Sequence, residues 1–250
     1  MNDDKKAAIV VLLLIILTIA AYPFTSLTDD KQEIYGIQSY SFFQEGKIYP
    51  LITAIFTHLD ERHIFGNTVF LFVFGITLAT FIGWKKFLVV YFIGGTVGNL
   101  AWVIYPVIDE GAASVTAVGA SGAVFAAIAA LAMAKPKNAA DIAEKSEILK
   151  FFSYVPWLGL IYTLIMGEGI LGFLGIIFYF LFVTIPDLIL GVATAHAAHF
   201  GGMLAGLILG ILFKFKGDFE GDENAKNKEG AGKKYEDIMP VHDYNDIVKT

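Results

Sequence analysis

Several stretches of this chain stay apolar for about as long as a helix needs to cross a bilayer, roughly 20 residues, and no other feature limits the fold as strongly. They fall at residues 7–25, 63–83, 87–107, 116–134, 151–185 and 193–213. Hydrophobic residues make up 56% of the 250 and charged residues 17%, well below the share of about a quarter found in soluble domains. The lipid bilayer is therefore the main solvent. The expected class is an all-α, polytopic membrane protein with six transmembrane helices. The net charge of −6 comes from the first loop, the short connections and the tail, and it argues against nucleic acid as a partner. Without cysteine, disulfides, thiol nucleophiles and thiolate metal sites are excluded.

The first run follows Asp3, Asp4, Lys5 and Lys6 and continues through Tyr22 and Pro23 to Phe24 with no small-x-small cleavage pattern. It reads as a first membrane helix, not a secretory signal. Residues 151–185 are too long for one straight span and are interrupted by Gly167, Glu168 and Gly169. Positive charge in short loops stays cytoplasmic, and the lysines arbitrate: Lys5 and Lys6, Lys85 and Lys86, Lys135 to Lys150, and Lys214 with Lys216 all fall on one side if both termini are cytoplasmic. That parity requires an odd number of crossings between Lys150 and the last helix. One crossing plus a re-entrant or interfacial segment is the preferred reading of 151–185, with two full helices as the alternative. The expected organisation is a membrane domain at 1–216 and a polar, disordered cytoplasmic tail at 217–250, in a multi-pass protein of the cell membrane.

Polar groups at membrane depth are costly and raise a functional question wherever they occur. His63 and Asn67 lie four residues apart, on one face of a helix. Gly119-Ala120-Ser121-Gly122 opens the fourth span. Small neighbours leave the Ser121 hydroxyl uncovered, and a helix N-terminus offers unpaired N–H groups to a developing oxyanion. Taken alone, such a run is more often a packing surface between membrane helices. In the last span, Gly202, Gly206 and Gly210 recur every four residues as a ridge without side chains, and His199 lies three residues before it. If that ridge meets the small face of the fourth helix, His199 reaches Ser121 and supplies the base that a hydroxyl nucleophile needs. His58 and His196 read as structural or cavity-lining residues. No carboxylate at matching depth accompanies the histidines, so neither a metal nor another cofactor is expected.

At this point the sequence resembles the rhomboid family of intramembrane serine proteases, from about Pro50 to Gly210. The family's H-x-x-x-N is matched by His63 and Asn67, its G-x-S-G by Gly119 to Gly122, and its A-H-x-x-G-x-x-x-G by Ala198, His199, Gly202 and Gly206. The resemblance implies a dyad of Ser121 as nucleophile and His199 as base, with an oxyanion hole of His63, Asn67 and the Ser121 N–H. Phe125 takes the place of an aromatic residue that packs on the histidine. The chain departs from many relatives in carrying Tyr49-Pro50 where they have Trp-Arg in the first loop. The implied activity is cleavage of peptide bonds in or near transmembrane segments of other proteins. A catalytically inactive, client-binding protein of the same fold is the alternative, and nothing in the sequence fixes the oligomeric state.

Overall fold

The computed structural model describes residues 3–107, 115–134, 144, 146–154 and 196–215. Among these residues the structure is helical, and the single extended pairing is an isolated antiparallel bridge between Ile37 and Ala117. The helices are α1 (Asp3–Thr25), α2 (Asp29–Tyr35), α3 (Ser39–Gln44), α4 (Pro50–Thr53), α5 (Glu61–Phe70), α6 (Ile76–Ile82), α7 (Trp84–Ile104), α8 (Ser121–Ala134), α9 (Glu147–Tyr154) and α10 (His196–Phe215). A π-helical turn, Leu71–Gly75, joins α5 to α6, so that Glu61–Ile82 forms one long element. Among the described residues, four helices are long and apolar enough to cross a membrane: Asp3–Thr25, Glu61–Ile82, Trp84–Ile104 and His196–Lys214. The expected span at 151–185 lies outside the described residues beyond the end of α9, and so does the tail at 217–250.

α1 shows why the bilayer is the solvent. Its buried residues Ala7, Ala8, Val11, Leu14 and Thr18 fall at three- and four-residue spacings along one stripe. The opposite face would be polar in a soluble protein, yet here it carries Leu13, Ile16, Leu17 and Ile19, each more than half exposed. Apolar side chains all round, buried on one stripe only, describe a helix between protein and lipid.

The centre of the bundle is α8, whose residues from Gly122 to Leu131 are all buried. Its alanines and Gly122 let neighbours come close. A Cβ on Gly202 or Gly206 of α10 would be driven into the carbonyl oxygens of Gly122 and Ala126, and one on Gly94 of α7 into the Cβ of Ala126. α7, α8 and α10 therefore pack backbone to backbone, the arrangement that small residues permit in membranes. The fourth span differs from the expected 116–134. Its helix begins only at Ser121 and holds 14 residues, about 21 Å of rise. Residues 115–120 are instead drawn into the loop layer, where Ala117 exchanges both backbone bonds with Ile37 at 2.9 Å and the Gly119 N–H donates to the Ala54 carbonyl at 2.8 Å. Ser121 therefore stands at the start of the helix rather than more than a turn inside it.

Candidate active site

Ser121 is the first residue of α8, because the Val124 N–H closes the first helical turn on the Ala120 carbonyl at 2.9 Å. The N–H groups of Ser121 and the two residues after it thus belong to the set with no intrahelical acceptor, at the positive end of the helix dipole. Just before it, Gly119 has φ +120°, a conformation strained for any residue with a Cβ. A Cβ there would also lie 2.8 Å from His63 Nε2. Glycine is required twice over, by backbone conformation and by the imidazole against it.

His199 lies in the first turn of α10 and is 6% exposed. Its Nε2 lies 2.7 Å from Ser121 Oγ, so a proton can pass from hydroxyl to imidazole without rearrangement. The close approach of α10 to α8 along Gly202 and Gly206 makes this contact possible, since larger residues there would hold the helices apart. The Phe125 ring, one turn after the serine, lies 4.6 Å from the His199 ring with 36° between planes. Nδ1 of His199 has no hydrogen-bond partner among the described residues, and packing against Phe125 orients the imidazole from this side. The His196 ring lies 6.4 Å from that of His199, nearly perpendicular to it. Of the two histidines, His199 is the one that meets the serine.

Asp60 caps α5 by accepting the His63 N–H at 2.7 Å, which fixes the helix start. The His63 Nδ1 accepts the Leu59 N–H at 3.3 Å. In a neutral ring the proton is then on Nε2, the atom beside Gly119. Asn67 donates one amide hydrogen to the His63 carbonyl at 3.0 Å and retains a second, and its Nδ2 also borders Gly119. Two side-chain donors and the N-terminus of α8 therefore converge on one small volume, a geometry able to receive an oxyanion.

Two residues support the site, and of these the sequence points only to His58, as a structural residue. Asn99, buried in α7, donates to the Leu51 carbonyl at 3.0 Å and ties the loop layer to the bundle. It could have been noticed as an amide at membrane depth. His58 is fully buried, and its Nε2 accepts the Ala120 N–H at 3.4 Å. The Tyr49-Pro50 pair has packing roles of its own. Pro50 is buried in the first turn of α4, where a missing N–H costs nothing, and the Tyr49 hydroxyl donates to the Ile34 carbonyl at 2.9 Å.

Comparison with known proteins supplies the family. The family profile described as "Rhomboid domain" matches residues 45–215, well over half of the chain. The chain is similar to the rhomboid protease GluP of Bacillus subtilis, 28% identical over 97 residues, which are 39% of this chain and 18% of that protein. It is also similar to the putative rhomboid protease YdcA of the same organism, 34% identical over 80 residues, 32% of this chain and 38% of the other. To the mitochondrial RHOMBOID-like protein 12 of Arabidopsis thaliana it is 33% identical over 63 residues, 25% of this chain and 19% of the other. The matched stretches cover less than two fifths of each relative's length. The profile match takes in every element that meets around Ser121 except the first helices and part of the loop layer, and by it the chain belongs to the rhomboid family of membrane-embedded helical proteins.

Proposed function

We propose that this protein is an intramembrane serine endopeptidase that cleaves peptide bonds in or near transmembrane segments of other membrane proteins. The observation that carries the proposal is the 2.7 Å contact between Ser121 Oγ and His199 Nε2 at a helix N-terminus bordered by two further donors. Ser121 Oγ attacks the substrate carbonyl carbon while His199 Nε2 takes its proton. The oxygen that gains charge is met by the His63 Nε2–H, the second Asn67 amide hydrogen and the Ser121 N–H. As the C–N bond breaks, His199 returns the proton to the leaving amine, and water then hydrolyses the acyl-enzyme by the same base. No carboxylate takes part in this scheme.

The lysine pattern supports an orientation with both termini in the cytoplasm of a cell-membrane protein and Ser121 toward the outer leaflet. Substrate enters from the lipid and unwinds locally to present its carbonyl. A fluorophosphonate probe tests the nucleophile directly. The wild type is expected to be labelled at Ser121, with labelling absent in Ser121→Ala and strongly reduced in His199→Ala. Equal labelling of all three proteins would remove the dyad and leave a client-binding role in the same fold.

A further inference from the structure

The backbone amides before Ser121 can be accounted for almost one by one. The Ala117 N–H goes to the Ile37 carbonyl and the Gly119 N–H to the Ala54 carbonyl. The Ala120 N–H belongs to the N-cap position of α8, where a glutamate or glutamine three residues on often accepts it. Here that position is Ala123, which has no acceptor to offer. The group that takes the bond is the imidazole of His58, 62 residues away in sequence. At 3.4 Å the bond is long, but both ends are dry: His58 is 0% exposed and Ala120 is 1% exposed.

His58 is itself held from behind. Its own N–H donates to Ser26 Oγ at 2.8 Å, and Ser26 is buried at the end of α1. Its ring also stands edge-on to the His63 ring, with centroids 5.1 Å apart. One side chain therefore touches both halves of the candidate oxyanion hole, the His63 ring on one side and the peptide leading into Ser121 on the other.

We propose that His58 is a positioning residue for the reaction: it captures the Ala120 N–H and so fixes the Gly119–Ala120 peptide, from which the next peptide carries the Ser121 N–H toward the developing oxyanion. The inference rests on the protease reading above. With that acceptor removed, the Ala120 N–H is buried without a partner and the turn gains reason to rotate, carrying the Ser121 N–H and Oγ off line. Burial, with the neighbouring His63 adding to it, pushes the His58 imidazole down to about 3. It thus stays neutral, able to accept through Nε2 with the proton on Nδ1.

Two measurements test this. Nitrogen NMR of the wild-type protein with labelled histidine should find His58 neutral and protonated at Nδ1, and a proton on Nε2 would overturn the proposal. Kinetics should separate two substitutions. Glutamine can bring a carbonyl oxygen close to the place of Nε2, so His58→Gln should keep most of kcat. His58→Leu, which has no acceptor, should lower kcat by about 10- to 100-fold with KM little changed. A His58→Leu enzyme with the wild-type kcat, or a His58→Gln enzyme as impaired as His58→Leu, would contradict it. Wild-type protein that cleaves no substrate would strike the protease reading instead, and the NMR result would still decide which atom of His58 accepts.

Discussion

Gly119 concentrates the strictest requirements of the site in one residue. Its φ of +120°, and the mere 2.8 Å that would separate a Cβ there from His63 Nε2, mean that Gly119→Ala must either shift the turn or displace the imidazole. The strain should cost about 1–3 kcal/mol of stability, read from thermal unfolding in detergent, and cleavage should fall by about 100-fold. A wild-type rate would mean that His63 does not work beside this turn. His58 makes a separate prediction for acid. Its imidazole is pushed from 6.5 down to about 3 in the folded protein, so between those values the unfolded chain binds more protons. Its contribution is complete above about pH 6.5 and is lost as the pH falls toward 3. His58→Gln should therefore show a shallower loss of thermal stability over that range than the wild type. The closeness of His63 to Asn67 was legible in their four-residue spacing on one helix, and that of Ser121 to His199 in the glycine ridge that follows the histidine. The His58–Ala120 bond was not, since it joins a loop to a helix cap across 62 residues, and no local pattern encodes it.

At the scale of elements, the meeting of α8 and α10 decides whether serine and histidine touch. The glycine repeat announced a close helix contact, and the Ala-rich α8 announced its partner. The start of α8 was less legible. An apolar run continues unbroken from Thr116, and only the bridge to Ile37 and the bond to Ala54 end the helix at Ser121. The short helices α2 to α4 were also hidden, because the loop they form is held by side chain to backbone bonds such as Thr53 Oγ1 to the Tyr35 carbonyl at 2.8 Å. Gly206→Val would press its side chain on the Ala126 carbonyl and should destabilise the bundle by about 1–3 kcal/mol, seen as a lower unfolding midpoint in detergent. At the opposite end of the bundle, Asp4 accepts from Thr80 Oγ1 at 3.0 Å and from Ser146 Oγ at 2.8 Å, while Ser146 Oγ accepts the Leu149 N–H of α9 at 3.2 Å. One carboxylate joins α1, α6 and the start of α9. Asp4→Ala would leave Thr80 Oγ1 and Ser146 Oγ without this acceptor and should cost about 1–3 kcal/mol, seen as a lower unfolding midpoint in detergent. An unchanged midpoint would argue against this clip.

For the whole molecule, the chemistry depends on a buried core that also presents an apolar coat. Composition announced the coat, and the structure adds that α1 is buried on one stripe while its other face is left to lipid. The polar groups of the candidate site lie against the loop layer of residues 26–60 through the Gly119–Ala54 and Ala120–His58 bonds, and under the proposed function that layer is where water would reach the serine. The number of spans between α9 and α10 could not be read from hydropathy, because residues 151–185 are long enough for more than one arrangement. The central claim is that Ser121 and His199 together hydrolyse a peptide bond of a membrane-embedded substrate. Its most direct measurement is cleavage of a transmembrane substrate in liposomes by the wild type, Ser121→Ala and His199→Ala. The account predicts a single cut by the wild type and none by either variant, with all three folded to the same stability within about 1 kcal/mol. Cleavage that persists in Ser121→Ala would contradict it.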